Sequence, residues 1–233
     1  MTKTETSATA IMAQLRDLHV ATEDRDGAFN SALRRVFAQD ANGNLLPEPI
    51  RFTAGLETRG IMLIEPPGGG KTTAVRHVLD RTTALHDPEA GHRRYLQVQV
   101  PSPATLKSLG TEILKATGFK EIGKSATAWQ IFQVVRTQFI QRGIVALWID
   151  EAQDLFLARS AQEIEETLKM LKSLMLGPAG VVLILSGTER LRMSTSYDPQ
   201  VMRRFSKIVP RDLTQGADNG RIDTILGRYA EKA

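Results

Sequence analysis

"LIEPPGGGKTTAVRHVL", residues Leu63 to Leu79, decides the fold. Its first two residues close an apolar run, Gly60 to Ile64, of the kind that forms a strand buried on both faces of a parallel sheet. Two prolines and three glycines then break the chain, and Lys71 opens a segment with helix signals to about Leu79. Strand, glycine loop and helix in that order make a phosphate cradle. Glycines let the backbone wrap with its N–H groups inward, the helix N-terminus adds partial positive charge, and a lysine reaches the terminal phosphates. Glu65 to Thr72 fits this template at Gly70, Lys71 and Thr72. Thr72 is placed to ligate Mg²⁺, the amides of Gly68, Gly69 and Gly70 to line the β-phosphate, and Pro67 and Thr73 to complete the ATP contacts. Glu65 stands where the template has its first glycine, which brings a carboxylate near a triphosphate. The plainer reading is a glycine-rich turn that happens to carry Lys-Thr.

A magnesium nucleotide needs a second anchor, and hydrolysis needs a group that orients water. "VALWIDEAQD", Val145 to Asp154, offers both at the end of another apolar run. Asp150 is placed to hold Mg²⁺ through its water shell, and Glu151 to polarise the attacking water in an in-line displacement. Taken alone, the same pair suits a helix N-cap followed by a first-turn acid. Gln153 reads either as a group that hydrogen-bonds that water or a neighbouring subunit, or as a solvated polar residue. "LSGTERL", ending at Leu191, puts Ser186 and Thr188 beside the acidic pair if its strand lies between that pair and the lysine loop. Thr188 is the better placed of the two to sense the γ-phosphate.

The remaining chain fits an α/β domain. Arg25 to about Gln39 carries Phe29, Leu33, Val36 and Phe37 at helical spacing, and the turn formers of Asp40 to Pro49 end it. Strands are expected at Arg94 to Val100, Ile144 to Ile149, Gly180 to Leu191 with a small polar end, and Ser206 to Leu213. Helices are expected after Pro101, opened by proline, and from Ser125 until Gly143 stops it. Ser160 to Leu176 is a third, with a stripe of Ile164, Leu168, Leu171, Leu174 and Met175. Apolar strands alternating with helices argue for a five-stranded parallel sheet flanked by helices. The division implied is 1–50 as an N-terminal helical segment, 51–213 as the core and 214–233 as a short C-terminal remainder.

Composition narrows the function classes. Among 233 residues, 42% are hydrophobic and none is cysteine, so disulfides, thiolate metal sites and cysteine nucleophiles are excluded. No stretch approaches a membrane span and no secretory signal is legible, so a cytoplasmic location is expected. The formal net charge of +4 suits a polyanionic partner. His86 and His92 flank a turn sequence without metal-ligand spacing and read as a surface loop.

Together the loop, the acidic strand and the polar strand end resemble the AAA+ branch of P-loop ATPases. "EPPGGGKT" is similar to that family's G-P-P-G-x-G-K-T, with Glu65 in the first glycine's place. "VPSPATLKSLGTEILKATGF" before "LWIDEAQDL", and "LSGTERL" after it, resemble the TniB/TnsC group of transposition ATPases, relatives of the phage Mu B protein. The likeness spans roughly Arg25 to Leu213. It implies ATP hydrolysis with Mg²⁺ and head-to-tail assembly on double-stranded DNA, as a helical filament or a ring. It further implies recruitment of a transposase, under a target-selection adaptor protein. An arginine completing the neighbour's site would fall in "DPQVMRRF", with Arg204 preferred and Arg203 in reserve. DNA contact would come from Lys107, Lys120 and Lys124. AAA+ proteins follow the fifth strand with a helical lid bearing another arginine; the short remainder after Leu213 departs from this and puts lid-borne nucleotide sensing in question. The alternatives are a helicase-loader or secretion-type ATPase, and a nucleotide-gated scaffold that hydrolyses little.

Overall fold

The computed structural model describes residues 11, 12, 15, 18–119, 123, 125–157, 160–196, 198, 199 and 203–232. A single π-helical turn over Glu23–Gly27 runs into α1 (Ala28–Val36), which buries Phe29, Ala32, Leu33 and Val36. The helix stops at Val36 rather than near Gln39. Phe37–Gln39 is a strand, β1, paired antiparallel with β2 (Leu45–Pro49), so part of the segment read as a turn is extended. Prolines are tolerated there because a two-stranded ribbon has free edges. β3 (Gly60–Ile64) leads through the glycine loop into α2 (Lys71–Arg81).

A two-residue hairpin, β4 (His86–Asp87) and β5 (His92–Arg93), carries the turn flanked by the two histidines. β6 (Tyr95–Gln99) precedes α3 (Leu106–Ala116), which opens on a capping box between Thr105 and Ser108 rather than on a proline. α4 (Ala128–Gln141) and, beyond β7 (Ala146–Asp150), α5 (Ala161–Ser173) open on the same device, at Thr127 and Ser160. β8 (Val182–Gly187), α6 (Glu189–Thr195), β9 (Phe205–Ile208) and α7 (Asn219–Lys232) complete the order.

The sheet order is β6-β7-β8-β3-β9, and every pairing is parallel. β3, β7 and β8 are buried at every residue, which is why their sequences are continuous apolar runs rather than alternating ones. One core layer places α3, α4 and α5 against Leu147, Ile149, Leu183 and Leu185. On the other face, Ile61, Leu63, Trp148 and Ile184 pack with Leu33 of α1 and Val75 and Leu79 of α2. A doubly covered parallel sheet presents its loops, and any ligand they hold, at the carboxyl ends of its strands. Because β8 lies between β7 and β3, the glycine loop, the acidic pair and the "SGT" end of β8 converge at one edge. Among the described residues, no helix is long and apolar enough to cross a membrane.

Candidate nucleotide-binding and catalytic site

The glycine loop takes a shape that its sequence permits and few others would. Gly68 and Gly70 have φ of +80° and +89°, a region in which any L side chain is strained. Gly70 is the N-cap of α2, so the amides at the start of that helix lie beside the loop. The Gly69 N–H turns back onto the Pro66 carbonyl at 3.2 Å. Pro67 is exposed at the turn, and Thr73 stands in the first turn of α2. Lys71 is 5% exposed, and its Nζ lies 3.5 Å from Glu151 Oε1. Two residues far apart in sequence are thus joined across the intervening strand.

Asp150 is the hub of the acidic strand end. The Thr72 hydroxyl donates to its Oδ2 at 2.7 Å and the Ser186 hydroxyl to its Oδ1 at 2.6 Å. Trp148 Nε1–H in turn donates to Ser186 Oγ at 2.7 Å. Indole, hydroxyl and carboxylate form a buried relay that fixes Asp150 in one orientation, with Thr72 opposite. A threonine hydroxyl and an oriented carboxylate are the donor set for a magnesium nucleotide in this kind of loop, so these residues fit the ion. No cluster of three or more His, Cys, Asp or Glu suited to a metal exists among the described residues, so the remaining ligands would be phosphate oxygens and water.

Glu151 sits at φ +52°, ψ +39°, a left-handed backbone that costs a non-glycine residue about 1 kcal/mol or more. Gln153, only 7% exposed, holds it there. The Gln153 amide donates to Glu151 Oε2 at 2.6 Å, and its carbonyl oxygen accepts from the Thr188 N–H at 3.1 Å. Gln153 is therefore a buried bridge between the acidic pair and the end of β8. Gly187 makes room for it, since a Cβ at that position would lie 2.5 Å from Gln153 Oε1. Ser186 is fully buried and occupied with Asp150, whereas Thr188 is partly exposed at the N-cap of α6.

A crevice of about 390 Å³ opens beside the loop, lined by Gly68, Gly69, Gly70 and Thr73 and walled by Arg25, Arg221 and Tyr229. Next to it, a cavity of about 500 Å³ is lined by Val20, Ala21 and Ile225. Both walls come from the chain ends: Arg221 of α7 donates to Asp24 at 2.6 Å, and Arg211 grips Asp218 with both terminal nitrogens. A polar crevice by the glycines that continues into an apolar cavity suits a phosphate tail and a base, in that order. α7 thus supplies an arginine to this crevice. Sequence reasoning missed both walls, because their contacts join residues nearly 200 positions apart (Asp24 and Arg221) with no local motif. Glu65 is tucked under the loop, where burial raises its carboxyl above the ordinary glutamate range against the opposing pull of Arg25.

Arg204 is placed away from solvent. It is 6% exposed and donates through Nε to Glu57 Oε2 at 2.8 Å, with a second contact through Nη2; Thr53 completes the carboxylate at 2.7 Å. Its partner in the pair, Arg203, is exposed. Truncating one member of a buried pair strands the other, so Arg204→Ala should lower unfolding free energy by about 3 kcal/mol. Urea denaturation checks this, and Arg203→Ala in the same assay should stay within about 0.5 kcal/mol of the parent. Lys107 is exposed on the first turn of α3, while Lys120 and Lys124 lie outside the described residues.

Comparison with known protein families matches residues 47–212 to the family described as Bacterial TniB protein. The chain belongs to the TniB family. The expected resemblance is supported by that match, and the parallel-sheet fold by solved structures. The Aeropyrum pernix ORC1 protein in complex with DNA aligns at TM-score 0.62 and 17% identity, over 94% of this chain and 51% of that one. The Aeropyrum pernix ORC2 protein, in ADPNP-ADP complexes, aligns at 0.61 and 17% identity, over 92% and 53%. Cdc6p from Pyrobaculum aerophilum aligns at 0.53 and 15%, over 94% and 49%. At such identities the likeness is one of fold, and this TniB chain spans about half the length of those proteins. A search of curated proteins finds no match. The TniB match begins at residue 47 and ends at 212, so Arg25 and Arg221, which wall the crevice, both lie outside it.

Proposed function

We propose that this TniB-family protein is an ATPase that assembles on double-stranded DNA with ATP bound, marks a target site and recruits a transposase, under a target-selection adaptor. The observation that carries the reading is the single cluster of Lys71, Thr72, Asp150 and Glu151 at the carboxyl edge of the sheet. Lys71 and the loop amides would hold the phosphates, and Thr72 and Asp150 the magnesium ion. When bound, that ion would neutralise charge developing on the phosphates. Glu151 would accept a proton from the attacking water, and Thr188 at the end of β8 would contact the γ-phosphate.

For the arginine supplied to the neighbouring subunit, burial at Glu57 argues against Arg204 and favours its exposed neighbour Arg203. Support for a DNA partner comes from family membership, from the positive net charge, and from the structurally similar ORC1 protein, solved in complex with DNA. Lys107, Lys120 and Lys124 are the proposed phosphate contacts, in a cytoplasmic assembly that forms a filament or ring.

The test is duplex-DNA binding by fluorescence anisotropy, with and without a slowly hydrolysed ATP analogue. Binding should require the analogue and fall by roughly 10³ or more between 50 and 200 mM salt if six or more phosphates are contacted per binding unit. Nucleotide-independent DNA affinity would remove the proposed coupling. Nucleotide binding with no DNA affinity at low salt would point instead to a helicase-loader or scaffold role.

A further inference from the structure

Arg25 lies forty residues upstream of the glycine loop, yet its Nη1 donates to the Gly69 carbonyl at 2.6 Å and stands 3.5 Å from Glu65 Oε1. Asp26 holds the same guanidinium from the other side, accepting from Nε at 3.3 Å. Asp26 is itself 3% exposed and fixed by the Thr22 N–H at 2.9 Å and by His19 at 2.5 Å. The Glu65 side chain fills the space under Gly69, where an added Cβ would come within 2.5 Å of its carboxyl carbon. The carboxylate that replaces the expected first glycine is thus a packed part of the loop, with Oε1 turned to Arg25 and Oε2 buried without a hydrogen-bond partner.

We propose that Arg25 is a positioning residue that fixes the Gly69–Gly70 peptide for phosphate binding, and that Glu65 is present to hold Arg25 in place. This rests on the nucleotide reading given above. A trans peptide is planar, with its carbonyl and N–H on opposite sides. Gripping the Gly69 carbonyl therefore fixes the direction of the Gly70 N–H, one of the amides at the N-terminus of α2. Glycine at 69 and 70 leaves that plane free to rotate unless something outside the loop restrains it. A fork of donors on a planar guanidinium holds a carbonyl, Glu65 and Asp26 in fixed directions, whereas a lysine carries its three donors on one freely rotating atom. Conversely, an isolated carboxylate at 65 would repel the triphosphate.

Isothermal titration with MgATP and with adenosine, on the full chain, separates these effects. Arg25→Ala should weaken MgATP binding about tenfold or more while adenosine affinity, which does not involve the loop amides, stays within about twofold. Arg25→Lys should fall between. Glu65→Gly restores the family glycine and removes a negative charge, yet it should weaken MgATP about threefold to tenfold, because Arg25 loses its anchor. The double variant should bind no worse than Arg25→Ala, as expected of two residues acting as one unit. Tighter MgATP binding by Glu65→Gly, or unchanged binding by Arg25→Ala with normal binding by the parent, would overturn the proposal alone. A parent protein that takes up no MgATP would overturn the nucleotide reading along with it. Equal losses for MgATP and adenosine would assign Arg25 a general structural role and also overturn it.

Discussion

Lys71→Ala should abolish measurable MgATP binding and, with it, any ATP-dependent assembly on duplex DNA. Two effects add. The ammonium group, 5% exposed at the start of α2, is the cation the loop offers to terminal phosphates. In the resting protein it lies 3.5 Å from Glu151, so its removal also leaves that carboxylate uncompensated, facing the place where a triphosphate would sit. Loss of a desolvated cation from its pairing with phosphates costs about 2–5 kcal/mol, or roughly 30-fold to several thousand-fold in affinity. Glu151 is 30% exposed on its side chain and partly solvated, so the apo fold should survive the change. Calorimetry with MgATP, beside a melting curve of the apo protein, reads both. Affinity within about threefold of the parent, with normal assembly on DNA, would remove Lys71 from the phosphate site and the mechanism with it.

The parts of this arrangement that were legible in the sequence are those set by short-range chemistry. β3, β7 and β8 read as buried strands because sheet burial on both faces demands uninterrupted apolar residues, and each is buried throughout. The glycine loop was legible because the left-handed backbone at Gly68 and Gly70 excludes most other residues. The placement of Ser186 and Thr188 beside the acidic pair was conditional on strand order, and that order puts β8 between β7 and β3. Ser186 nevertheless has a different task from its neighbour, since Trp148 and Asp150 occupy its hydroxyl.

What was illegible depends on contacts between distant segments. Nothing near Arg204 announces Glu57, nearly 150 positions earlier, so a buried ion pair reads as an exposed basic doublet. Gln153 stayed open between a hydrogen-bonding and a solvated reading; it lies in a short 3₁₀ turn, Ala152–Phe156, with its side chain buried. The β1–β2 ribbon was hidden by prolines and turn formers, which an edge ribbon accommodates and a central strand would not. Arg25 and Arg221 belong to segments read as a helix start and a short remainder; only the folded chain brings them to the crevice.

Glu151→Gln should lower ATP turnover by about 10²- to 10⁴-fold, the usual contribution of a positioned general base, while MgATP binding is retained. The substitution is close to isosteric and keeps a non-glycine residue at the φ +52° backbone, so it leaves the local strain as it was. The bridge from Gln153 also survives: its amide donates to Glu151 Oε2 at 2.6 Å, and a glutamine there can turn its carbonyl oxygen to the same donor. Removing the carboxylate frees Lys71 from its 3.5 Å ion pair and takes a negative charge away from the phosphates, so affinity for MgATP should hold or tighten. If release from DNA follows hydrolysis, complexes of the variant on duplex DNA should persist far longer with ATP than those of the parent, and equally long with a slowly hydrolysed analogue. Steady-state phosphate release and dissociation from immobilised duplex measure the two halves. Unchanged turnover would remove Glu151 from the water-activating position; lost turnover with unchanged DNA residence would separate hydrolysis from release and leave the nucleotide acting through binding alone.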